Sequence, residues 1–205
     1  MMEIFAAFSK QTGIPIEPLF GNMQQVLEQA RTSGTIRVII GDRSFLDAAP
    51  VSIPFFQAIG KGRLVLAFRK GLTIESLKGL LCANVHRIGI ADEQKAVYGK
   101  AAKECLDRSG LYDRLRGKLL VAATVPQISA YLVLGEVDAA FLNLTEALSI
   151  ERHIGGYLKA DESFYTSIEI GAGILPEAKN DEDVGRLLAF LKTKEAKAIL
   201  LRYGL

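Results

Sequence analysis

Short apolar runs alternate with helical stretches along the whole chain, and this alternation constrains the fold more than any other feature. Ile36–Ile40, Val85–Ile90 and Asp138–Leu142 read as buried strands, and helical patterns lie between them. Strands that alternate with helices in this way build α/β units with parallel sheets. We therefore predict an α/β fold in which parallel-rich sheets are flanked by helices.

Two longer apolar segments, at 63–68 and 165–174, divide the chain. The block between them alternates strand and helix by itself, as an independent lobe would. We expect residues 1–69 plus 164–205 to form lobe 1 and residues 70–163 to form lobe 2, inserted into it. The two long segments would then be hinge strands, and closure of two lobes around a ligand is the natural function of such a topology.

Composition excludes several classes of protein. The 25 basic and 23 acidic residues leave a net charge of +2, so charge gives no argument for a nucleic-acid partner. The hydrophobic share of 49% is that of a globular protein and not of a disordered one. No apolar run approaches the roughly 20 residues of a membrane helix. Because Met1-Met2-Glu3 leads straight into a helical pattern, we expect no signal peptide within this chain.

Cysteines and catalytic motifs give no sign of chemistry. Cys105 falls on an apolar helical stripe with Val97 and Ala101, which predicts a small core residue, while a Cys82–Cys105 bridge is the alternative. No second Cys or His stands at metal-ligand spacing, and the nucleophile-elbow and zinc-protease motifs are absent. We therefore expect no enzyme activity, no catalytic residue, no cofactor and no metal.

Helix starts follow strand ends at several corners of the chain. Tyr98 stands in one such start, and Thr124 with Gln127 and Asn143 with Glu146 are spaced as capping-box pairs in two others. Helix N-termini present unpaired N–H groups and the positive end of the helix dipole, so they bind anions without formal charge. Several starts that converge on one cleft predict a site for a small oxyanion.

Several segments resemble the molybdate-binding proteins of ABC transporters, in the family's order and at its spacing. They are Ile90–Glu93, Tyr98–Leu106, Ser109–Leu115, Lys118–Leu119, Val125, Gly135–Phe141 and Arg202–Leu205. The resemblance covers essentially the whole chain and is most specific between 88 and 147. It implies a two-lobe, type II periplasmic-binding-protein fold that holds a tetrahedral oxyanion, molybdate or tungstate, between its lobes. It also implies a membrane permease as partner and a periplasmic or extracytoplasmic location.

The resemblance further implies a set of ligand groups. A family serine maps to about Asn22–Met23, two backbone N–H donors map to Tyr98 and Val125, and a tyrosine hydroxyl maps to Asn143. Backbone donors survive any change of side chain. The hydroxyls are lost, and an amide N–H of Asn22 or Asn143 could replace one whereas Met23 could not. Because these residues differ from the family's ligand groups, the sequence leaves open which anion the chain prefers.

Two readings of the N-terminus and of the function stay open. The family's opening strand, with its ligand serine, has no counterpart here, because the chain enters directly into a helix at 3–12. We expect a gap, a swapped strand or an intermolecular contact in its place, with the strand and a signal peptide lying upstream or with the chain a shortened paralogue. The alternative functions are the ligand-sensing domain of a transcriptional regulator and a degenerate paralogue that binds another anion.

Overall fold

A computed structural model describes residues 1–205, and its elements fall into two units. The helices are α1 (Met2–Thr12), α2 (Met23–Ser33), α3 (Arg43–Asp47), α4 (Val97–Arg108), α5 (Tyr112–Leu115), α6 (Val125–Leu134), α7 (Leu144–Ser149), α8 (Glu182–Leu191) and α9 (Lys194–Arg202). The strands are β1 (Val38–Asp42), β2 (Phe55–Gly62), β3 (Leu64–Phe68), β4 (Ile88–Ala91), β5 (Leu119–Ala122), β6 (Ala139–Asn143), β7 (Gly156–Lys159) and β8 (Ile168–Ile174). None of the helices combines the length and the apolar character that crossing a membrane requires.

The first unit comprises Met1–Lys61 and Ile168–Leu205. Its sheet has the order β1-β8-β2, and β1 runs antiparallel to β8. Helices α1, α8 and α9 supply apolar side chains to one core cluster, in which the rings of Phe8 and Phe190 lie 5.7 Å apart. The amphipathic stripes of these helices explain that placement, because each helix must bury one face.

The second unit, Gly62–Ser167, holds a five-stranded sheet with the order β5-β4-β6-β3-β7. Strand β4 is parallel to β5 and β6, whereas β3 is antiparallel to β6 and β7. Parallel neighbours need a crossover, and α4 and α6 supply it between β4, β5 and β6. Parallel pairing is therefore confined to this part of the sheet, and the expected parallel-rich sheet is a mixed one.

The two long apolar segments lie in different units. Strand β3 pairs along its length with β6 and β7 and so belongs to the second sheet, while β8 is the central strand of the first. The chain accordingly passes from one unit to the other between Lys61 and Gly62 and again between Ser167 and Ile168. The expected boundaries, after 69 and after 163, lie eight and four residues away from these points (69 − 61 and 167 − 163).

The segment Ile14–Leu19 is strand-like in sequence but is broken by Pro15 and Pro18, and in the structure it forms no strand. Its residues alternate between half-buried and exposed, as a strand would, yet none of them belongs to a sheet. Pro15 and Pro18 have no N–H to donate to a ladder. Ile14 and Ile16 instead pack on the core cluster of the first unit as an extended segment.

Strand β1 ends the first sheet and has one unpaired edge. The N–H of Leu175 donates to the carbonyl of Arg37, which opposes it in the ladder. Because antiparallel pairs alternate, the backbone groups of Ile39 bond to β8, and those of Val38 and Ile40 point to the free edge. An open edge lies where the sequence predicts a gap, a swapped strand or an intermolecular contact, and that expectation stays a prediction.

Both cysteines are free thiols, so the alternative of a Cys82–Cys105 bridge is wrong. Cys82 is exposed, whereas Cys105 is fully buried on α4, as its place on the apolar stripe predicts. Burial raises the pKa of the Cys105 thiol to about 12. The thiol therefore stays protonated and serves as a small core side chain.

Candidate functional site

Three helix starts lie at one edge of the second sheet. Ala91 at the end of β4 is level with Ala122 at the end of β5, and β6 runs parallel to β4 on its other side. The carboxyl ends of all three strands therefore share an edge, from which the chain enters α4, α6 and α7. Ala96, Val125 and Leu144, at or next to these starts, belong to a single core cluster, against which Tyr98 also packs.

Helix α4 begins without a side-chain cap. Its N-cap residue is Ala96, which has no side chain able to accept the first-turn N–H groups, in contrast to Thr124 and Asn143 before α6 and α7. Tyr98 is the second residue of this first turn and is half-buried. An uncapped helix start presents N–H donors and the positive end of the dipole to whatever lies in front of it.

A glycine brings the start of α4 close to the end of β4. A Cβ atom on Gly99 would lie 2.5 Å from the carbonyl oxygen of Ala91 and 2.2 Å from that of Asp92, distances that no side chain can adopt. The N–H of Asp92 in turn donates to the carbonyl of Ala122 at 2.8 Å, beyond the last paired residues of the two strands. These contacts join the α4 corner to the corner that leads into α6.

Helix α6 is capped in a way that leaves one amide available. The Thr124 hydroxyl accepts from the Gln127 amide at 3.3 Å, and the Gln127 side chain accepts from the Thr124 amide at 3.2 Å. This confirms the predicted capping box. Pro126 has no N–H, so Val125 carries the remaining donor of this turn. The Val125 side chain is buried in the core and does not take part in the cap.

Asn143 caps α7 with its side-chain oxygen, which accepts from the Glu146 amide at 2.6 Å. The reciprocal half of the predicted box is absent, because the Glu146 carboxylate bonds to the hydroxyl of Ser129 instead. The Leu144 amide donates to the carbonyl of Arg63 at 3.0 Å. The cap does not use the side-chain NH₂ group of Asn143, and this is the group that Asn143 could offer to a ligand.

Asp92, one of two neighbouring carboxylates in the turn before α4, is neutralised locally. One oxygen of Asp92 accepts from the amides of Gln94 and Lys95, at 2.9 and 3.1 Å. The other lies 3.8 Å from the Lys95 ammonium. Fixed donors around a carboxylate reduce the repulsion that it would exert on a nearby anion.

Asn22 and Met23 lie in the first unit, at the start of α2. The Asn22 side chain accepts from the Gln25 amide at 2.9 Å, and the Gln25 side chain accepts from the Asn22 amide at 3.0 Å. The Met23 thioether is buried against Gly41, where its sulfur would stand 2.6 Å from an added Cβ atom. The Met23 side chain is therefore a core group, and its amide is what it can present to a ligand.

The sequence analysis misses two hydrogen-bonded features of these corners, and only one of them has a signal in the sequence. The Asn22–Gln25 capping box has a visible signal, because Asn and Gln stand at the capping spacing. The hydrogen bond between Ser129 and Glu146 has none, because its partners are 17 residues apart on different helices. Only the packing of α6 against α7 brings them together.

Comparisons with known proteins place the chain among binding proteins. The model of a family described as bacterial extracellular solute-binding protein matches residues 1–205. The molybdate-binding protein ModA of Rhodobacter capsulatus is 26% identical over 209 residues, which is 98% of this chain and 81% of that protein. ModA of Azotobacter vinelandii is 24% identical over 216 residues, with 100% and 84% covered.

The fold has a counterpart among solved structures. The periplasmic molybdate-binding protein of Azotobacter vinelandii matches with a TM-score of 0.88 at 24% identity, covering 99% of this chain and 92% of that one. A likeness at this identity shows the fold. It confirms the predicted α/β fold of the type II periplasmic-binding-protein class.

Proposed function

The chain belongs to the family of bacterial extracellular solute-binding proteins, and from that membership we propose that it binds a small oxyanion for an ABC transporter. Molybdate and tungstate are the first candidates, because the two ModA relatives are molybdate-binding proteins. The observation that carries the proposal is the uncapped start of α4 beside the Val125 amide of α6. Backbone donors of this kind match a dianion that has no proton to give.

Each expected ligand residue has a role in the proposal. Tyr98 and Val125 contribute backbone N–H groups at the starts of α4 and α6, and Asn143 contributes its side-chain NH₂. In the first unit, Met23 contributes its amide and Asn22 shapes the helix start as its cap. Fixed dipoles suit this task because they need no reorganisation and little dehydration when the anion arrives.

The proposed role is binding and delivery. An anion held by neutral N–H groups is stabilised without a nucleophile, a general base or a metal, so the site suits reversible capture. We propose that the protein works outside the cytoplasm and hands the anion to a membrane permease. The location is supported by the family, whose members are described as extracellular solute-binding proteins. The permease is the partner that the resemblance to molybdate-binding proteins of ABC transporters implies.

Thermal unfolding of the purified chain with sodium molybdate, tungstate, sulfate or phosphate tests the proposal. A ligand at one hundred times its Kd adds about 2.7 kcal/mol to the stability of the folded state. For a chain of this size that corresponds to a rise in Tm of roughly 5–10 °C. We expect such a rise with molybdate and tungstate, and equal Tm values in all four salts at matched ionic strength would reject the proposal.

A further inference from the structure

Ser129 is a buried polar residue on α6, one helical turn beyond Val125. Its side chain is 4% exposed. The hydroxyl lies 3.0 Å from the carbonyl oxygen of Pro126 and is hydrogen-bonded to the carboxylate of Glu146. A buried hydroxyl needs a partner, because leaving it unpaired costs about 1–3 kcal/mol. With its single proton donated to Glu146, Ser129 connects α6 to a residue of α7.

Glu146 completes a chain of contacts between the two helix starts. Its amide donates to the side-chain oxygen of Asn143, while its carboxylate accepts from Ser129. A glutamate at the third position of a capped helix ordinarily bonds back to its own N-cap residue. Here it is directed to α6 instead, so Asn143, Glu146 and Ser129 form one connected set.

We propose that Ser129 and Glu146 are positioning residues of the anion site, and that their hydrogen bond fixes the start of α6 relative to the start of α7. The set begins at Asn143 and ends at Ser129, which lies one helical turn after Val125 on α6. Asn143 and Val125 are the two expected ligand residues that these helices provide. Donors must stand at fixed places to stabilise an ion well. The inference rests on the proposed function of the site.

Binding of sodium molybdate to the full chain, measured by calorimetry, gives the first part of the test. Ser129→Ala removes the donor, and Glu146→Ala breaks the same bond from the half-buried partner should the first variant fold poorly. We expect either change to weaken molybdate binding roughly threefold to tenfold, because the start of α6 is then held less firmly relative to the start of α7. Glu146→Gln keeps an acceptor oxygen and should restore most of the affinity.

Ser109→Ala is the matched control. Like Ser129, Ser109 has a hydroxyl near the backbone carbonyl three residues earlier, and it donates to that carbonyl, of Leu106, at 3.1 Å. Ser109 stands at the far end of α4, away from the helix starts. This variant should bind molybdate as the wild type does. If it weakens binding as much as Ser129→Ala does, general destabilisation explains the effect and the inference is wrong.

The amide resonance of Val125 without ligand is the second readout, and a purely structural role elsewhere would not move it. We expect it to shift in Ser129→Ala and in Glu146→Ala and to stay in place in Ser109→Ala. Unchanged affinity together with an unchanged resonance in folded Ser129→Ala or Glu146→Ala would overturn the inference. If the wild type does not bind molybdate but the Ser129→Ala and Glu146→Ala variants show these resonance shifts, the anion function is rejected. The positioning role of the Ser129–Glu146 hydrogen bond is then still supported.

Discussion

The Nε atom of Arg69 lies 2.7 Å from one carboxylate oxygen of Asp138, at the edge of the second sheet opposite the helix starts. The other carboxylate oxygen accepts from the amides of His86 and Arg87, at 2.7 and 3.0 Å. Asp138 thereby ties the end of β3 to the beginnings of β4 and β6. Burial alone would raise the pKa of Asp138, but the bonds from Arg69 and the two amides lower it below its usual value.

Replacement of Asp138 by Asn should destabilise the protein in a pH-dependent way. A carboxyl whose pKa is lowered by folding adds stability above its unfolded pKa, about 3.9, and loses that contribution as the pH falls through the folded pKa. The two backbone bonds dominate, because solvent screens the more exposed Arg69. We expect a cost of about 1–3 kcal/mol at pH 7 that shrinks below about pH 4.

Urea unfolding of wild type and Asp138→Asn at pH 7 and at pH 3 measures that difference. Asp113→Asn is the control, because Asp113 is exposed on α5. The free energy of unfolding of Asp113→Asn should equal that of the wild type at both pH 7 and pH 3. A constant gap between wild type and Asp138→Asn at both pH values would contradict the account.

Replacement of Gly99 by Ala should damage the start of α4. The added Cβ would meet the carbonyl oxygens of Ala91 and Asp92, and backbone atoms cannot give way as a flexible side chain can. We expect a loss of about 1–3 kcal/mol in stability and weaker molybdate binding, because the α4 amides move. Gly185→Ala, on α8 with nothing within 4 Å, should instead stabilise the protein by about 0.5–1 kcal/mol. Equal effects of the two variants would refute the prediction.

Substitutions at Asn143 separate its capping role from its proposed ligand role. Asn143→Asp keeps an oxygen that can cap α7 but removes the NH₂ donor and adds a negative charge. We expect a folded protein that binds molybdate at least tenfold more weakly, since a bond to a charged ligand contributes about 1.5–3 kcal/mol. Val125→Ala should change affinity little, because its contribution comes from the backbone. Retained affinity in Asn143→Asp would reduce Asn143 to a helix cap.

Hydrogen exchange at β1 tests the open edge of the first sheet. The amides of Val38 and Ile40 point away from β8, whereas those of Ile39 and Gly41 bond to it. We expect the outward pair to exchange much faster than the inward pair. Equal protection of all four amides would mean that a further strand covers this edge in solution, the swapped-strand or intermolecular arrangement.

The sequence predicts the α/β fold and the helix starts, because those signals are local. The capping box at Thr124 and the strand at Asp138–Leu142 follow from residues within one turn or one alternation. Strands β2 and β7 are missed, because they carry glycines and few consecutive apolar residues and are defined by their neighbours. Ile14–Leu19 shows the opposite error, since an alternating segment is no strand without a partner.

The features of the candidate site likewise fall into those that the sequence reveals and those that only the structure reveals. The helix starts that carry the proposed backbone donors, Tyr98 and Val125, are recognisable from their position after a strand, whereas the donor roles come from the resemblance. The bond from Ser129 to Glu146 joins two helices and leaves no pattern in the sequence. The role of Met23 also depends on packing, because only the structure places its side chain against Gly41.

A titration of the isotopically labelled protein with sodium molybdate, followed through backbone amide resonances, tests the central claim most directly. The claim is that N–H groups at the starts of α4 and α6 hold the anion. The account predicts that the amides of Tyr98 and Val125 shift together and saturate at the molybdate concentrations at which calorimetry detects binding. Saturable binding that leaves both amides unmoved would contradict it.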